Sequence, residues 1–210
     1  DREVFKLLEV PRLEPRYNVA PTQEVPVVRE EPDGSRRVVI MRWGLIPHWA
    51  KDPAIGNRMI NARSETLPHK PAFKEPFQHR RCLVPADGFY EWQKTPHGKV
   101  PQFLRVDDGE IFAFAALWER WRGPETGPVE TFTILTTQPN DLVRPIHNRM
   151  PVILEPDHYD LWLDPAQSDT HELSGVLRPY PAERMSAYPV SRYVNDPRNE
   201  GPECIAPSPP

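Results

Sequence analysis

The sequence predicts an α+β chain, mainly antiparallel β, in which a curled, barrel-like sheet carries a few short helices. Three observations predict it. Proline accounts for 28 of the 210 residues, a density incompatible with long helices or uninterrupted central strands. Runs of β-branched and aromatic residues recur between turn signals at short intervals. Six Trp, six Tyr and eight Phe are spread among the prolines and supply core material, so the proline content does not imply disorder.

The elements follow in order. Arg2–Val10 reads as a short amphipathic helix stopped by Pro11. A proline-punctuated loop follows to Pro26. Val25–Glu30 and Arg36–Trp43 read as a hairpin around the turn Pro32-Asp33-Gly34-Ser35. Trp43–Trp49 is an aromatic loop. Met59–Thr66 then places an amide, a guanidinium, a hydroxyl and a carboxylate within five residues. If extended, this stretch aligns Asn61, Arg63 and Glu65 on one face. Pro68–Phe77 reads as a helical turn or two. Arg81–Trp92 is a strand interrupted at Pro85–Gly88. Pro101–Val106, Glu110–Trp121 and Glu130–Thr137 are strands. Asn140–Ile146 is a short helical candidate, Val152–Leu154 a short strand, and Asp157–Leu163 and Thr170–Leu177 helices. Met185–Val194 is a last strand before a proline-rich tail over 195–210. With no repeat and no linker, residues 1–210 are expected to form one domain.

Bulk charge sets limits on function. The formal net charge of -4 gives no global basic field. Arg58–Arg81 is nevertheless locally basic, with six Lys or Arg against two Glu, enough for a few phosphates. The two cysteines, Cys82 and Cys204, have no metal or redox spacing, and a reducing compartment is the default. Neither a signal peptide nor a transmembrane run is visible. The seven histidines lack paired-ligand spacing, so no metal and no cofactor is expected.

Several side chains carry possible chemistry. Glu91 sits among aromatics in Gly88-Phe89-Tyr90-Glu91-Trp92, where desolvation would raise its pKa and suit it to proton transfer. His147 lies between Pro145 and Pro151, which pin its backbone. Arg149 is a candidate phosphate clamp. Trp43 and Trp49 lie in a loop, where aromatics can stack on bases. Each residue also fits a plainer role: an edge-strand carboxylate, a surface imidazole, buried tryptophan plugs, a solvated strand end.

Five segments in order, Tyr17-Asn18-Val19-Ala20-Pro21-Thr22, Trp43-Gly44-Leu45-Ile46-Pro47, Asn61-Ala62-Arg63-Ser64-Glu65, Cys82–Trp92 and Ile146-His147-Asn148-Arg149-Met150-Pro151, strongly resemble the SRAP (SOS-response-associated peptidase) family. These proteins crosslink to abasic sites in single-stranded DNA. The resemblance implies a positively charged DNA groove and an N-terminal cysteine, exposed by autocatalytic removal of the initiator Met, whose amine and thiol capture the sugar aldehyde as a thiazolidine. It implies catalytic roles for Glu91, His147 and Asn61, with lyase or reversal chemistry at the same site. It also implies DNA contacts by Arg63, Arg149, Ser64, Trp43, Asn18 and Pro21.

The sequence begins at Asp1 without a methionine, and the family's Met-Cys-Gly-Arg start does not occur in it. The resemblance therefore places the nucleophilic cysteine upstream of Asp1. Neither Cys82 nor Cys204 has a free α-amine to replace it. The chain as it stands is expected to bind single-stranded DNA without crosslinking. Its expected partner is abasic single-stranded DNA, not a membrane. It is expected to act as a monomer, cytoplasmic and nucleoid-associated. Two other readings stay open, a thiol peptidase acting on other proteins and a non-catalytic single-strand binding module.

Overall fold

The computed structural model describes residues 1–208; Pro209 and Pro210, the last two of the expected tail, lie outside the described residues. The chain is α+β, with mixed and mostly antiparallel sheets and few short helices, as the proline spacing predicts.

Strands β1 (Glu24–Glu30) and β2 (Arg36–Trp43) form the expected hairpin, with Glu24 opposite Arg42 and Glu30 opposite Arg36. A short strand, β3 (Asn61–Arg63), leads into a 3-10 turn, Ser64–His69, and helix α1 (Lys74–His79). Strands β4 (Arg81–Ala86), β5 (Phe89–Thr95), β6 (Gly98–Val106), β7 (Phe112–Arg122) and β8 (Pro128–Thr137) follow. The short strands β9 (Met150–Pro151) and β10 (Ile153–Leu154), helices α2 (Tyr159–Leu163) and α3 (Thr170–Gly175), and strand β11 (Met185–Pro189) complete the set.

Pairing runs β7-β4-β1-β2-β8, and β8 also pairs with β7, giving a ring-like sheet. The ring is thin between β1 and β4, where only Val28 pairs with Leu83, and between β2 and β8, where two parallel pairs form. All five strands feed one apolar cluster: Val25, Val27, Met41, Cys82, Val84, Phe112, Phe114, Ala116, Phe132 and Ile134. Residues one position away, such as Leu83, Ala115, Leu117 and Leu135, join a second cluster with Phe5, Tyr159 and Trp162. This is the period-two alternation of a sheet buried on both faces. A second sheet, β11-β6-β5, packs Leu104, Val106 and Met185 against the first cluster.

Four expectations need correction. Arg2–Val10 is a series of turns ending in a bridge between Leu7 and Arg36, not a helix. Phe5 and Leu7 are both buried while Val4 and Leu8 are exposed, so anchoring to the core overrides the marginal stability of so short a helix. Asn140–Ile146 is also only turns; the Asn140 side chain accepts from Val143 N–H, and Pro145 prevents extension. The stretch Arg81–Trp92 is interrupted within Pro85–Gly88 as expected, but its halves are separate strands, β4 and β5, in different sheets. Gly88 permits that break, since a Cβ there would lie 2.2 Å from Phe103 Cζ. The last strand ends at Pro189, and Ser191 caps a 3-10 turn, Arg192–Asn195.

Residues 195–208 are packed rather than trailing: Cys204 is buried and Ser208 N–H donates to Pro189 O at 2.8 Å. Among the described residues no helix is long and apolar enough to cross a membrane.

Candidate functional site

The stretch before β3 is fixed by backbone contacts. Gly44 adopts φ +131°, and a Cβ there would lie 2.4 Å from Gly56 O, so the two loops meet only because both residues lack side chains. Leu45 N–H donates to Met59 O at 3.0 Å. Ile60 O accepts from Ile134 N–H at 3.1 Å and from Trp43 Nε1 at 3.0 Å. Strand β3 then runs parallel to β8, with Asn61 in register with Ile134 and Arg63 with Thr136. Ala62 is buried, whereas Asn61 and Arg63 are exposed on the opposite side.

The expected row of three side chains stops there, because Ser64 begins the 3-10 turn and takes Glu65 out of the alternation. Glu65 reaches the site by a different route. Arg149 grips its two carboxylate oxygens through Nη1 at 2.9 Å and Nη2 at 2.8 Å. The same guanidinium donates to Thr136 O at 2.9 Å and, through Nε, to Thr136 Oγ1 at 3.3 Å. This fork holds Glu65 below the usual carboxylate range, opposed by partial burial. Among the described residues one Nη1–H of Arg149 is left without an acceptor.

His147 is set by its own turn. Its N–H donates to Val143 O at 2.8 Å, and Arg149 N–H reaches His147 Nδ1 at 3.2 Å. Arg149 O lies at the same 3.2 Å from Nδ1, so both the N–H and the C=O of Arg149 face this edge of the imidazole. Glu91, on β5, has its carboxyl pKa raised by burial, and the positive charge that His147 can carry opposes that rise. Gln93, two residues along the same face, donates to Pro145 O at 3.3 Å and ties β5 to the His147 turn. Glu91, His147 and the Asn61–Arg63 edge are therefore linked through Gln93, the 140–149 turn, Arg149 and Thr136.

Other expected residues fall elsewhere. Asn18 is buried, and its amide nitrogen lies within hydrogen-bonding distance of Val194 O, Asp196 O and Asn199 O. That corrects the expected DNA contact: the side chain is spent on closing the C-terminal segment. Pro21 is exposed beside Thr22, which has φ 73°, a conformation β-branched residues seldom adopt. This loop bonds to Trp43 through Thr22 N–H and Gln23 O. Trp43 itself is half-buried and stacked on Phe132, whereas Trp49 is 52% exposed. Ser64, half-buried, opens the 3-10 turn directly beside Arg63.

Asp1, upstream of which the nucleophile is expected, is exposed and makes local contacts. Its Oδ1 accepts from Glu3 N–H at 3.1 Å and from Val4 N–H at 3.5 Å, which fastens the first turn. The expected cysteine upstream of Asp1 lies outside the described residues.

The basic stretch is smaller than its composition suggests. Arg81 is buried with all five donors on backbone carbonyls, and Arg80 is paired with Glu75 and Glu119. Arg58, Arg63, Lys70 and Lys74 remain exposed, with no salt bridge among the described residues. Cys82 and Cys204 are both buried, and burial pushes both thiols up, the reverse of an activated thiolate.

Thr136 and Gln93 were not legible as site residues. The first reads as one more β-branched residue of a strong strand, and the second as one polar residue in a hairpin. Only the register and the turn reveal their partners.

The family model described as SOS response associated peptidase (SRAP) matches residues 2–197. The abasic site processing protein YoqW of Bacillus subtilis (strain 168) is 49% identical over 193 residues, covering 91% of this chain and 85% of that protein. The abasic site processing protein HMCES of Gallus gallus is 37% identical over an alignment of 227 residues, covering 93% of this chain and 67% of that one. The crystal structure of a protein from Bacteroides thetaiotaomicron superposes with a TM-score of 0.81 at 31% identity, covering 89% of this chain and 82% of that one. The five ordered motifs, the ring-like sheet and these likenesses agree, and the chain belongs to the SRAP family.

Proposed function

We propose that this protein senses abasic sites in single-stranded DNA and shields them as a covalent thiazolidine. The observation that carries the reading is the exposed Asn61–Arg63 edge, tied through Thr136 and Arg149 to the turn of His147 and through Gln93 to the hairpin of Glu91. Relatives named as abasic site processing proteins supply the DNA lesion as substrate.

The nucleophile in this reading is the N-terminal cysteine of the family's Met-Cys-Gly-Arg start, upstream of Asp1 and released when the protein cleaves off its own initiator Met. Its α-amine attacks the aldehyde carbon of the ring-opened sugar, and water leaves as the Schiff base forms. Its thiolate then adds to the same carbon, and the imine nitrogen takes a proton as the five-membered ring closes. Glu91, protonated at neutral pH more often than a solvated carboxyl, donates to the ring oxygen as the sugar opens and recovers a proton afterwards. His147 assists that transfer and the reverse, lyase-type steps. Asn61 hydrogen-bonds the sugar, Arg63 and the free Nη1–H of Arg149 hold phosphates, and Ser64 flanks them. Trp43 and the Pro21 loop shape the strand's path.

The whole chain acts as one domain and as a monomer, at the nucleoid of a reducing cytoplasm where a thiol stays free. The test is incubation of the complete protein, with the N-terminal cysteine, with an abasic single-stranded oligonucleotide. A slow band on a denaturing gel is expected, formed more slowly with Glu91→Gln and less completely with Asn61→Ala. No covalent band from the unmutated protein overturns the reading.

A further inference from the structure

Three polar side chains share one face of the β5–β6 hairpin. Glu91 and Gln93 are two residues apart on β5, and Gln102 on β6 stands directly opposite Glu91. Gln102 Nε2 donates to Gln93 Oε1 at 3.1 Å, and Gln93 Nε2 donates to Pro145 O at 3.3 Å. Pro145 O can only accept, so the Gln93 nitrogen faces the turn and its oxygen is left to accept from Gln102. Pro145 precedes His147 by two residues, and His147 is locked to that turn through Val143 O.

We propose that Gln102 and Gln93 form a two-amide relay that sets the distance between Glu91 and His147, and are positioning residues for that pair. The proposal rests on the reading above for its catalytic meaning. Three features favour it. The hairpin and the 140–149 turn are separate in sequence, and the Gln93–Pro145 bond joins them. Among the described residues His147 is the one charge that biases Glu91, so their separation governs the strength of that bias. The charged side chains of the same turn have their own partners, Arg144 with Asp141 and Arg149 with Glu65.

The test uses the complete protein and Gln93→Met, which keeps the side-chain length and removes the amide. His147 ring-carbon shifts are followed by NMR across pH 4–9. In the unmutated protein the ionisation of Glu91 registers as a second inflection; in Gln93→Met that inflection collapses. Crosslinking to abasic DNA slows roughly tenfold with a displaced pH–rate profile and unchanged affinity for intact single strands. Gln102→Met cuts the relay from the other strand and has the same effects, and the double variant is no worse than either single.

Identical His147 curves in unmutated and Gln93→Met protein overturn the relay, whether or not crosslinking occurs. A collapsed inflection without any covalent band in the unmutated protein overturns the proposed function and leaves the relay standing.

Discussion

Arg149 holds Glu65 with both arms of its guanidinium while Thr136 accepts from the same group. The pair joins the 3-10 turn after Arg63 to β8 and to the backbone beside His147. Arg149→Lys keeps the charge but loses the planar fork. Crosslinking should fall about tenfold or more through misplacement of His147 and the Arg63 turn. The salt dependence of single-strand binding should stay nearly unchanged, because lysine keeps the charge and Glu65 stays beside it. A salt slope that drops as far as for loss of an exposed arginine would instead make Arg149 mainly a phosphate clamp.

Arg63 should behave in the opposite way. It is exposed and has no carboxylate partner among the described residues. Arg63→Ala is expected to weaken binding of intact and abasic strands alike and to reduce the log–log salt slope by about 0.7. Fluorescence anisotropy at several salt concentrations measures it.

Glu91 carries a pH signature with a defined sign. Burial raises its folded pKa above the unfolded carboxyl value. Its favourable contribution is fully present below the unfolded pKa and is lost as pH rises through the folded pKa. Glu91→Gln removes that loss. The variant's melting temperature should therefore gain on the unmutated protein as pH rises from 4 to 8, even as crosslinking slows. A constant difference in melting temperature across that range would contradict a desolvated Glu91.

Much of this arrangement was legible in sequence, for identifiable reasons. The hairpin Glu24–Trp43 and the strand ending at Thr137 carry strong local signals, and turn chemistry and β-branching decided them. The ordered motifs brought Asn61, Glu91 and His147 to notice together. What was not legible depends on long-range packing. Asn18 closes the C-terminal segment 176 to 181 residues away, and nothing in its local sequence announces that. Arg81 reads as part of a basic patch, yet the core claims it. Trp43 and Trp49 are alike as a loop pair, and only the stack on Phe132 tells the anchored ring from the free one.

That difference makes Glu119 testable. It is 3% exposed and accepts from Arg80 Nη2 at 3.1 Å, with His48 Nδ1 at 3.2 Å. His48 is the neighbour of the exposed Trp49, and Trp121 Nε1 bonds Ala50 O on its far side. Glu119→Ala leaves the largely buried Arg80 with only the exposed Glu75 as an acidic partner among the described residues and frees the Trp49 loop. Destabilisation of about 3 kcal/mol is expected in urea unfolding, with a rise in the accessibility of Trp49 to a collisional quencher. Unchanged quenching would show that Glu119 does not hold the loop.

Arg81 separates structure from electrostatics most sharply. Its Nε donates to Trp162 O, Nη1 to Phe77 O and Gln78 O, and Nη2 to Asp164 O and Gln167 O. Burial lowers its pKa to about 10, still high enough to keep it charged at neutral pH. Five carbonyls, from α1, from α2 and from the segment that follows α2, thus converge on one planar cation. Lysine offers three donors and no plane, so Arg81→Lys leaves at least two of those carbonyls unpaired, costing roughly 3 kcal/mol. For a chain of this size that corresponds to a fall of roughly 10 °C in Tm. Below the transition, the salt slope of DNA binding should match the unmutated protein, because no donor of Arg81 is free for a phosphate. A changed slope with an unchanged Tm would return Arg81 to the DNA-binding surface.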